Sequence, residues 1–184
     1  MTTNMKRKLT VAGVLLIGIA GFLVSAAKAK SIFVDDKTPE LTGECARLGV
    51  DDGNKLAFRS YATGTQIYRW NGAAWIFVAP DAKLFVNEMY RGQIGKHYVG
   101  PTWESNSGSK IVAAKIDECT PDTAAIPWLK LQKVVTEGPG IFESVTFIQR
   151  LNTTGGLKPT LPGSFVSEEK AVPYTAEYYF YRAN

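Results

Sequence analysis

Apolar and polar residues alternate in short runs along most of the chain. The clearest case is "TQIYRWNGAAWIFVAP", where Tyr68 and Trp70 share one face before Asn71-Gly72, and Trp75 and Phe77 share one face after it. A period of two is that of a β-strand, and Asn-Gly between two such runs favours a hairpin because both residues tolerate positive φ. The segment therefore predicts two antiparallel strands joined by a tight turn.

Further short runs of the same kind predict a sheet that extends over the rest of the chain. The predicted strands are Lys55–Ala62, Lys83–Asn87, Lys96–Trp103, Lys110–Ile116, Ile126–Val135, Ile141–Leu151 and Pro173–Arg182. Gly, Pro, Ser and Thr dominate the stretch from Thr153 to Lys170, which predicts a long surface loop. Many short strands with regular turn signals predict an all-β fold, a single antiparallel β-sandwich or barrel-like domain.

The N-terminus follows a different pattern. Lys6, Arg7 and Lys8 precede the uncharged run "VAGVLLIGIAGFLV", and small residues follow, with Ala29 or Ala27 at the end of a cleavage site. This order is typical of a secretory signal peptide. An uncleaved anchor is the alternative, but the run falls short of the roughly 20 residues that span a bilayer. We therefore predict export to the periplasm or the extracellular space, with no stable membrane span after cleavage.

Cleavage changes the charge and the domain organisation. We predict a signal peptide at 1–29, a polar N-terminal arm at 30–54 and a β domain at 55–184. Four of the 21 Lys and Arg residues lie before Lys30 and none of the 17 Asp and Glu does, which leaves 17 charges of each sign. A chain without net charge or a dense Lys/Arg run lacks the basic patch that nucleic acids require. We predict no nucleic-acid partner.

The chain has two cysteines, Cys45 and Cys119. An even pair in an exported protein favours a disulfide, with two free buried thiols as the alternative. A zinc site needs more Cys and His ligands than this chain offers, so no metal site is predicted. No cofactor is predicted either.

Several blocks resemble a known family. In order they are "TQIYRWNG", "WIFVAP", "IGKHYVGPTWESNSGSKIVAAK", "AIPWLKL", "FESVTFIQRLNTTGG" and "VPYTAEYYFYR". Together they are similar to a domain-of-unknown-function family of exported bacterial and fungal proteins, some of which carry a malate dehydrogenase label. The resemblance implies cysteines at Trp70 and near Pro162-Gly163, which this chain lacks. It implies no activity.

The dehydrogenase label does not suit this chain. A dinucleotide fold needs a strand, a G-x-G-x-x-G turn and a helix. The only comparable stretch, Gly138 to Gly140, lacks the third glycine and leads into another strand pattern. We reject that activity on the sequence alone.

Enzymatic chemistry has two other candidates. His97, the only histidine, suits a general base because its ordinary pKa is near neutrality. A carboxylate pair is the second candidate, and the acidic residues considered for it are Glu104, Asp117, Asp122 and Glu143. An extracytoplasmic hydrolase is therefore one alternative, set against structural roles for these residues in turns and on solvated faces.

The aromatic content favours ligand binding instead. Flat rings with a polar edge suit sugars and small apolar molecules, although sheet cores recruit aromatics too. The segment "HYVGPTWE" is expected to run along one strand into a turn, with Trp103 near the rim of a groove. The predicted ligand-binding residues are His97, Tyr98, Trp103, Glu104, Trp128, Gln149 and Arg150. A third alternative is an envelope or matrix protein that contacts other proteins; the oligomeric state is left open.

Overall fold

A computed structural model describes residues 37–184, together with Met1. Eight antiparallel strands form one closed barrel in which each strand pairs with its neighbours in sequence and β8 pairs with β1. The strands are β1 Asn54–Trp70, β2 Trp75–Phe85, β3 Gln93–Tyr98, β4 Thr102–Ser105, β5 Lys110–Cys119, β6 Trp128–Glu137, β7 Val145–Gly155 and β8 Glu169–Ala183. The all-β prediction is confirmed, and the barrel is the form that the sheet takes.

The barrel and residues 37–53, which precede it, belong to one compact unit. The predicted signal peptide and the first part of the arm lie outside the described residues. No helix in the described part of the chain is long and apolar enough to cross a membrane.

β1 is longer than the sequence indicated because it continues through Gly64. A Cβ at this position would lie 2.1 Å from the carbonyl oxygen of Asp81 on β2. Only glycine allows the two strands to approach this closely. Gly64 lies between the two strands predicted on either side of it and joins them into one long strand of the ring.

The hairpin predicted around Asn71-Gly72 is confirmed, with a longer turn. Trp70 pairs with Trp75, and the side-chain oxygen of Asn71 accepts hydrogen bonds from the backbone N–H groups of Ala73 and Ala74. The turn thus holds four residues instead of two.

The single strand predicted at Lys96–Trp103 is wrong. The chain reverses at residues 99–101, where Gly100 has a φ of 79°, and the two arms are β3 and β4. His97 pairs directly with Trp103 across this hairpin. Pro101 lies in the turn between the two strands, and the closed ring gives it no sheet edge.

Two apolar cores lie on opposite faces of the sheet. The inner core fills the barrel and includes Phe58, Trp103, Phe142, Tyr178 and Phe180. The outer core includes Phe147, Leu151, Tyr179 and Tyr181 on the outside of β7 and β8. Alternation in "EYYFYR" sends successive aromatic rings to opposite faces, so both faces of β8 are covered.

Residues 37–53, here called the N-terminal strap, cover the outer core. A 3-10 helix, Gly43–Leu48, places Leu48 in contact with that core, fully buried. The disulfide between Cys45 and Cys119 ties the strap to the end of β5, as predicted for this pair. Lys130 adds an ion pair to Asp51, with 2.6 Å between Nζ and Oδ1.

One further contact bears on the family resemblance. A Cβ at Gly163 would lie 2.5 Å from the ring of Trp70, so these two residues touch. The two positions at which the resemblance implies cysteines are therefore adjacent in space.

Candidate functional site

A cavity of about 160 Å³ lies inside the barrel, near the end that carries the β3–β4 turn. Gly100 and Pro101 of that turn line it, together with residues from all eight strands. Most of its wall is apolar, supplied by Phe77, Val78, Pro80, Pro101, Leu129 and Leu131. Eight-stranded barrels have interiors just wide enough for side chains or one small ligand, and this cavity fits that size.

His97 and Trp103 form one wall of the cavity as a stacked pair. Their ring centroids are 4.1 Å apart and the planes differ by 13°. Tyr178 meets both rings edge-on, with 5.4 Å between centroids in each case. Pairing across the β3–β4 hairpin puts both rings on the inner face, because directly paired residues share a face.

The prediction that Trp103 lies near a groove rim is wrong, because its side chain is only 1% exposed. The β3–β4 turn is the reason. A strand that ran on to Trp103 would have carried it to the end of the sheet, whereas the reversal brings it back beside His97. Trp103 therefore borders the cavity from within the core.

His97 is neutral in the folded protein. Burial lowers its pKa to about 3, although a hydrogen bond to the backbone of Thr102 opposes this shift, and the cation of Arg150 lowers the pKa further. Nδ1 lies 2.9 Å from the carbonyl oxygen of Thr102. A carbonyl only accepts, so Nδ1 carries the proton and Nε2 keeps a free lone pair.

Two buried nitrogens at the cavity have no hydrogen-bond partner within the part of the chain that the structure describes. They are Nε1 of Trp103 and Nε2 of Gln66, on side chains 1% and 2% exposed. Buried polar groups in native proteins are nearly always hydrogen-bonded, so each exception requires a reason. Both residues line the cavity, which is where an acceptor could reach them.

Arg150 brings a positive charge to the same cavity. Its Nε and Nη2 donate to the carbonyl oxygen of Pro127, at 3.2 and 2.8 Å. Within the described residues, no carboxylate forms an ion pair with it. Its charge lowers the pKa of His97 and opposes the rise that burial causes in the pKa of Tyr174 and Tyr178.

Tyr98 and Glu104 face outward from the same hairpin. The Tyr98 hydroxyl donates to Oε2 of Glu104 at 2.7 Å, and Lys96 Nζ lies 3.4 Å from the same oxygen. The hydrogen bond to Glu104 raises the pKa of Tyr98 to about 12, and the same bond lowers the pKa of Glu104. These two predicted site residues belong to a surface cluster, apart from the cavity.

Gln149 and Trp128 lie under the N-terminal strap. Nε2 of Gln149 donates to the carbonyl oxygen of Leu48 at 2.7 Å, and its Oε1 accepts from the Tyr181 hydroxyl at 2.7 Å. Trp128 packs against the outer core. Strand alternation explains the split: Gln149 and Arg150 are consecutive, so only one of them can face inward. The structure therefore places these two predicted ligand-binding residues on opposite faces of β7.

The four carboxylates considered for a catalytic pair also lie away from the cavity. Glu104 is in the surface cluster, Asp117 accepts from Arg47 at 3.0 Å, and Asp122 accepts from the backbone of Ala124 at 2.8 Å. Glu143 is exposed. In the described part of the chain, no acidic side chain lines the cavity, and no group of three His, Cys, Asp or Glu residues is placed to hold a metal.

Sequence reasoning found His97, Trp103 and Arg150 but missed Gln66 and Tyr178. A signal for Gln66 was present. In "TQIYRW" it shares the inward face with Tyr68, and a polar residue at a core-facing position is unusual enough to mark a site. Tyr178 gave no such signal, because the neighbouring tyrosines of β8 look alike.

Fold and site together define an eight-stranded antiparallel barrel with a small, donor-lined cavity at one end. The chain belongs to DUF3455, a family described as "Protein of unknown function", whose family model matches residues 86–182. This confirms the resemblance to a domain-of-unknown-function family, and the matched segment runs from the end of β2 into β8. No curated protein and no solved structure matches the chain.

Proposed function

We propose that the protein binds a small organic molecule in the cavity of its barrel. The observation that carries this proposal is the pair of unpartnered N–H groups, Trp103 Nε1 and Gln66 Nε2, on the wall of an otherwise apolar cavity. Leaving a buried donor unsatisfied costs about 1–3 kcal/mol. A ligand whose acceptor atoms reach these groups removes that cost while it buries its own apolar surface.

The cavity volume limits the ligand to about one ring. An engineered protein cavity of about 150 Å³ holds benzene, whereas sites for larger ligands measure about 300–1,000 Å³. At about 160 Å³, this cavity suits a single substituted ring and excludes an oligosaccharide from the interior. Of the two ligand classes predicted from the sequence, the structure favours the small apolar molecule over the carbohydrate.

The hydrolase alternative has less support. A general base works best with a pKa near the operating pH, and the pKa of His97 is about 3. Its partners at the cavity are aromatic rings and a guanidinium, without a serine, cysteine or carboxylate from the described residues. The stacked imidazole is better suited to shaping a binding wall.

Export remains part of this proposal. The Cys45–Cys119 disulfide supports it, because disulfides persist in oxidising compartments outside the cytoplasm. The basic and apolar pattern of the N-terminus supports it independently. The ligand is then one that is met in the periplasm or the extracellular space.

The test uses neutral ring-sized probes on the full chain: benzyl alcohol, benzamide and cyclohexanol. NMR follows the indole N–H signals of the four tryptophans. The Trp103→Phe variant assigns the Trp103 signal by its loss, and Trp128→Phe, outside the barrel, is the matched control. We expect at least one probe to shift the Trp103 signal and leave that of Trp128 in place.

A cavity-filling variant completes this experiment. Leu129→Phe places a larger side chain on the cavity wall, at a half-buried position where extra volume is tolerated. We expect it to weaken probe binding while the melting temperature changes little. If none of the three probes shifts the Trp103 signal, or if the shifts persist unchanged in Leu129→Phe, the proposal is wrong.

A further inference from the structure

We infer that the ligand carries a carboxylate, which the Arg150 guanidinium receives inside the barrel. This inference rests on the proposed function and adds the chemical class of the ligand. The starting observation is that two buried N–H donors on the cavity wall have no acceptor among the described residues. Trp103 Nε1 and Gln66 Nε2 are buried without a partner, and both need an acceptor.

The charge of Arg150 narrows the choice among acceptors. Its Nε and Nη2 donate to one backbone carbonyl, and the guanidinium also donates to the Tyr178 hydroxyl, so part of this five-donor group remains available. A partly buried cation needs an opposite charge to offset its lost hydration, and no carboxylate of residues 37–184 supplies one to Arg150. A neutral ligand leaves that requirement unmet.

The geometry of a guanidinium favours a carboxylate in particular. Its planar fork matches the two oxygens of a carboxylate, and the paired hydrogen bonds are stronger than those between neutral groups. Arg150 is the only cation on the cavity wall that lacks a carboxylate partner within the described residues, because Lys115 pairs with Glu118 at 2.7 Å. One free cation fits a monoanion, and the apolar walls fit the rest of the molecule.

His97 adds no charge to the cavity. Because its pKa is far below neutrality, it does not add a second cation that would favour a dianion. Its ring stacks on Trp103 and leaves a flat wall against which a ring or a short apolar chain can lie. The inferred ligand is therefore a small monocarboxylate with an apolar body of about one ring.

The experiment compares benzoate with benzamide, which have the same shape and differ in charge. Isothermal titration of the full chain measures both affinities near neutral pH. We expect benzoate to bind at least about tenfold more tightly, which corresponds to about 1.4 kcal/mol. In Arg150→Met we expect this preference to disappear, with benzoate binding no more tightly than benzamide. Lys115→Met, at the other cation of the cavity wall, is the control that keeps the preference.

Arg150→Lys is a second, more conservative variant that tests the inference if Arg150→Met does not fold. It keeps the charge and removes the fork, so we expect a benzoate preference that is reduced but still present. Equal or tighter binding of benzamide by the unaltered protein overturns the inference and leaves the proposed function standing. A preference for benzoate that survives in Arg150→Met also overturns it. If the protein binds neither of these probes and none of the other neutral rings, the proposed function itself is wrong.

Discussion

His97 shows how one residue can be predicted and still be misread. Its identity as the only histidine drew attention to it, but a base requires a pKa near neutrality, and that depends on burial. The barrel leaves the side chain 4% exposed, which removes the water that would solvate an imidazolium. The hydrogen bond to Thr102 opposes the shift without reversing it.

The lowered pKa makes a pH-dependent stability measurable. The unfolded chain binds a proton at His97 below about pH 6.5 and the folded chain does not, so stability is lost as the pH falls through that value towards about 3. The loss reaches up to about 1.4 kcal/mol per pH unit. We expect His97→Asn, which keeps an N–H for the Thr102 carbonyl, to flatten this dependence.

Denaturant unfolding measures this pH dependence of the free energy of unfolding between about pH 7 and pH 5. That range lies above the one in which ordinary carboxylates titrate. His97 is the only histidine, so the unaltered protein supplies the reference slope without interference from another imidazole. Parallel stability curves for the two proteins would show that His97 titrates normally in the folded state.

The β3–β4 hairpin and the N-terminal strap are the elements that the sequence described least well. "HYVGPTWE" looked like one strand because β-period residues stand on both sides of Gly100-Pro101. The turn is three residues long and its signal is a single Gly-Pro pair, which a strand with an edge proline can also contain. The position of the turn decides which way Trp103 faces. Trp103 therefore lies in the interior of the barrel and not at the predicted rim.

The strap could not be foreseen as a packed element, since its sequence is polar and has no period. It packs because Leu48 and Cys45 enter the outer core and Gln149 reaches across to its backbone. Those partners lie on β5 and β7, far away in sequence. Only the pairing of Cys45 with Cys119 was visible beforehand, from the count of cysteines.

Removing the disulfide should loosen the strap and leave the cavity in place. The bridge spans 74 positions, and the chain-entropy estimate for a loop of this length is about 4 kcal/mol. We expect a Cys45→Ser/Cys119→Ser variant to lose roughly this much free energy of unfolding in denaturant titrations. The indole signal of Trp103 should stay where it is, because the strap covers the outside of β7 and β8.

Reduced wild-type protein is the matched control for that variant, since it breaks the same bond without changing a residue. A loss below about 1 kcal/mol in both samples would mean that the strap is held by packing alone. A shifted Trp103 signal in both would mean that the strap and the cavity are coupled.

At the scale of the whole molecule, alternation and turn residues predicted the all-β class and the approximate positions of most strands. Closure into a ring was one of two alternatives, because strand pairing depends on contacts between distant residues that a local pattern does not contain. Gly64 is an example: its role is to let β2 approach β1, and nothing within its own strand says so.

The predicted signal peptide gives the chain two forms, before and after cleavage. We expect mass spectrometry of the protein from its native host to find Lys30 or Lys28 as the first residue, after cleavage behind Ala29 or Ala27. A control variant with tyrosine at both alanines should remain uncut, because the cleavage site requires small residues. Intact Met1 on protein recovered from the cytoplasm would contradict the proposed export.

The pairing of β1 with β8, which closes the ring, can form only after the rest of the barrel has been synthesised. β1 pairs with β8 along nearly its full length, from Asn54 with Ala183 to Arg69 with Glu169. Among the strands of residues 37–184, β1 is synthesised first and pairs with β8, which is synthesised last. Barrels dominated by such distant pairings fold slowly, on a scale of about milliseconds to seconds. Until β8 emerges, β1 is an open edge that other chains can pair with, which exposes the unfinished protein to aggregation.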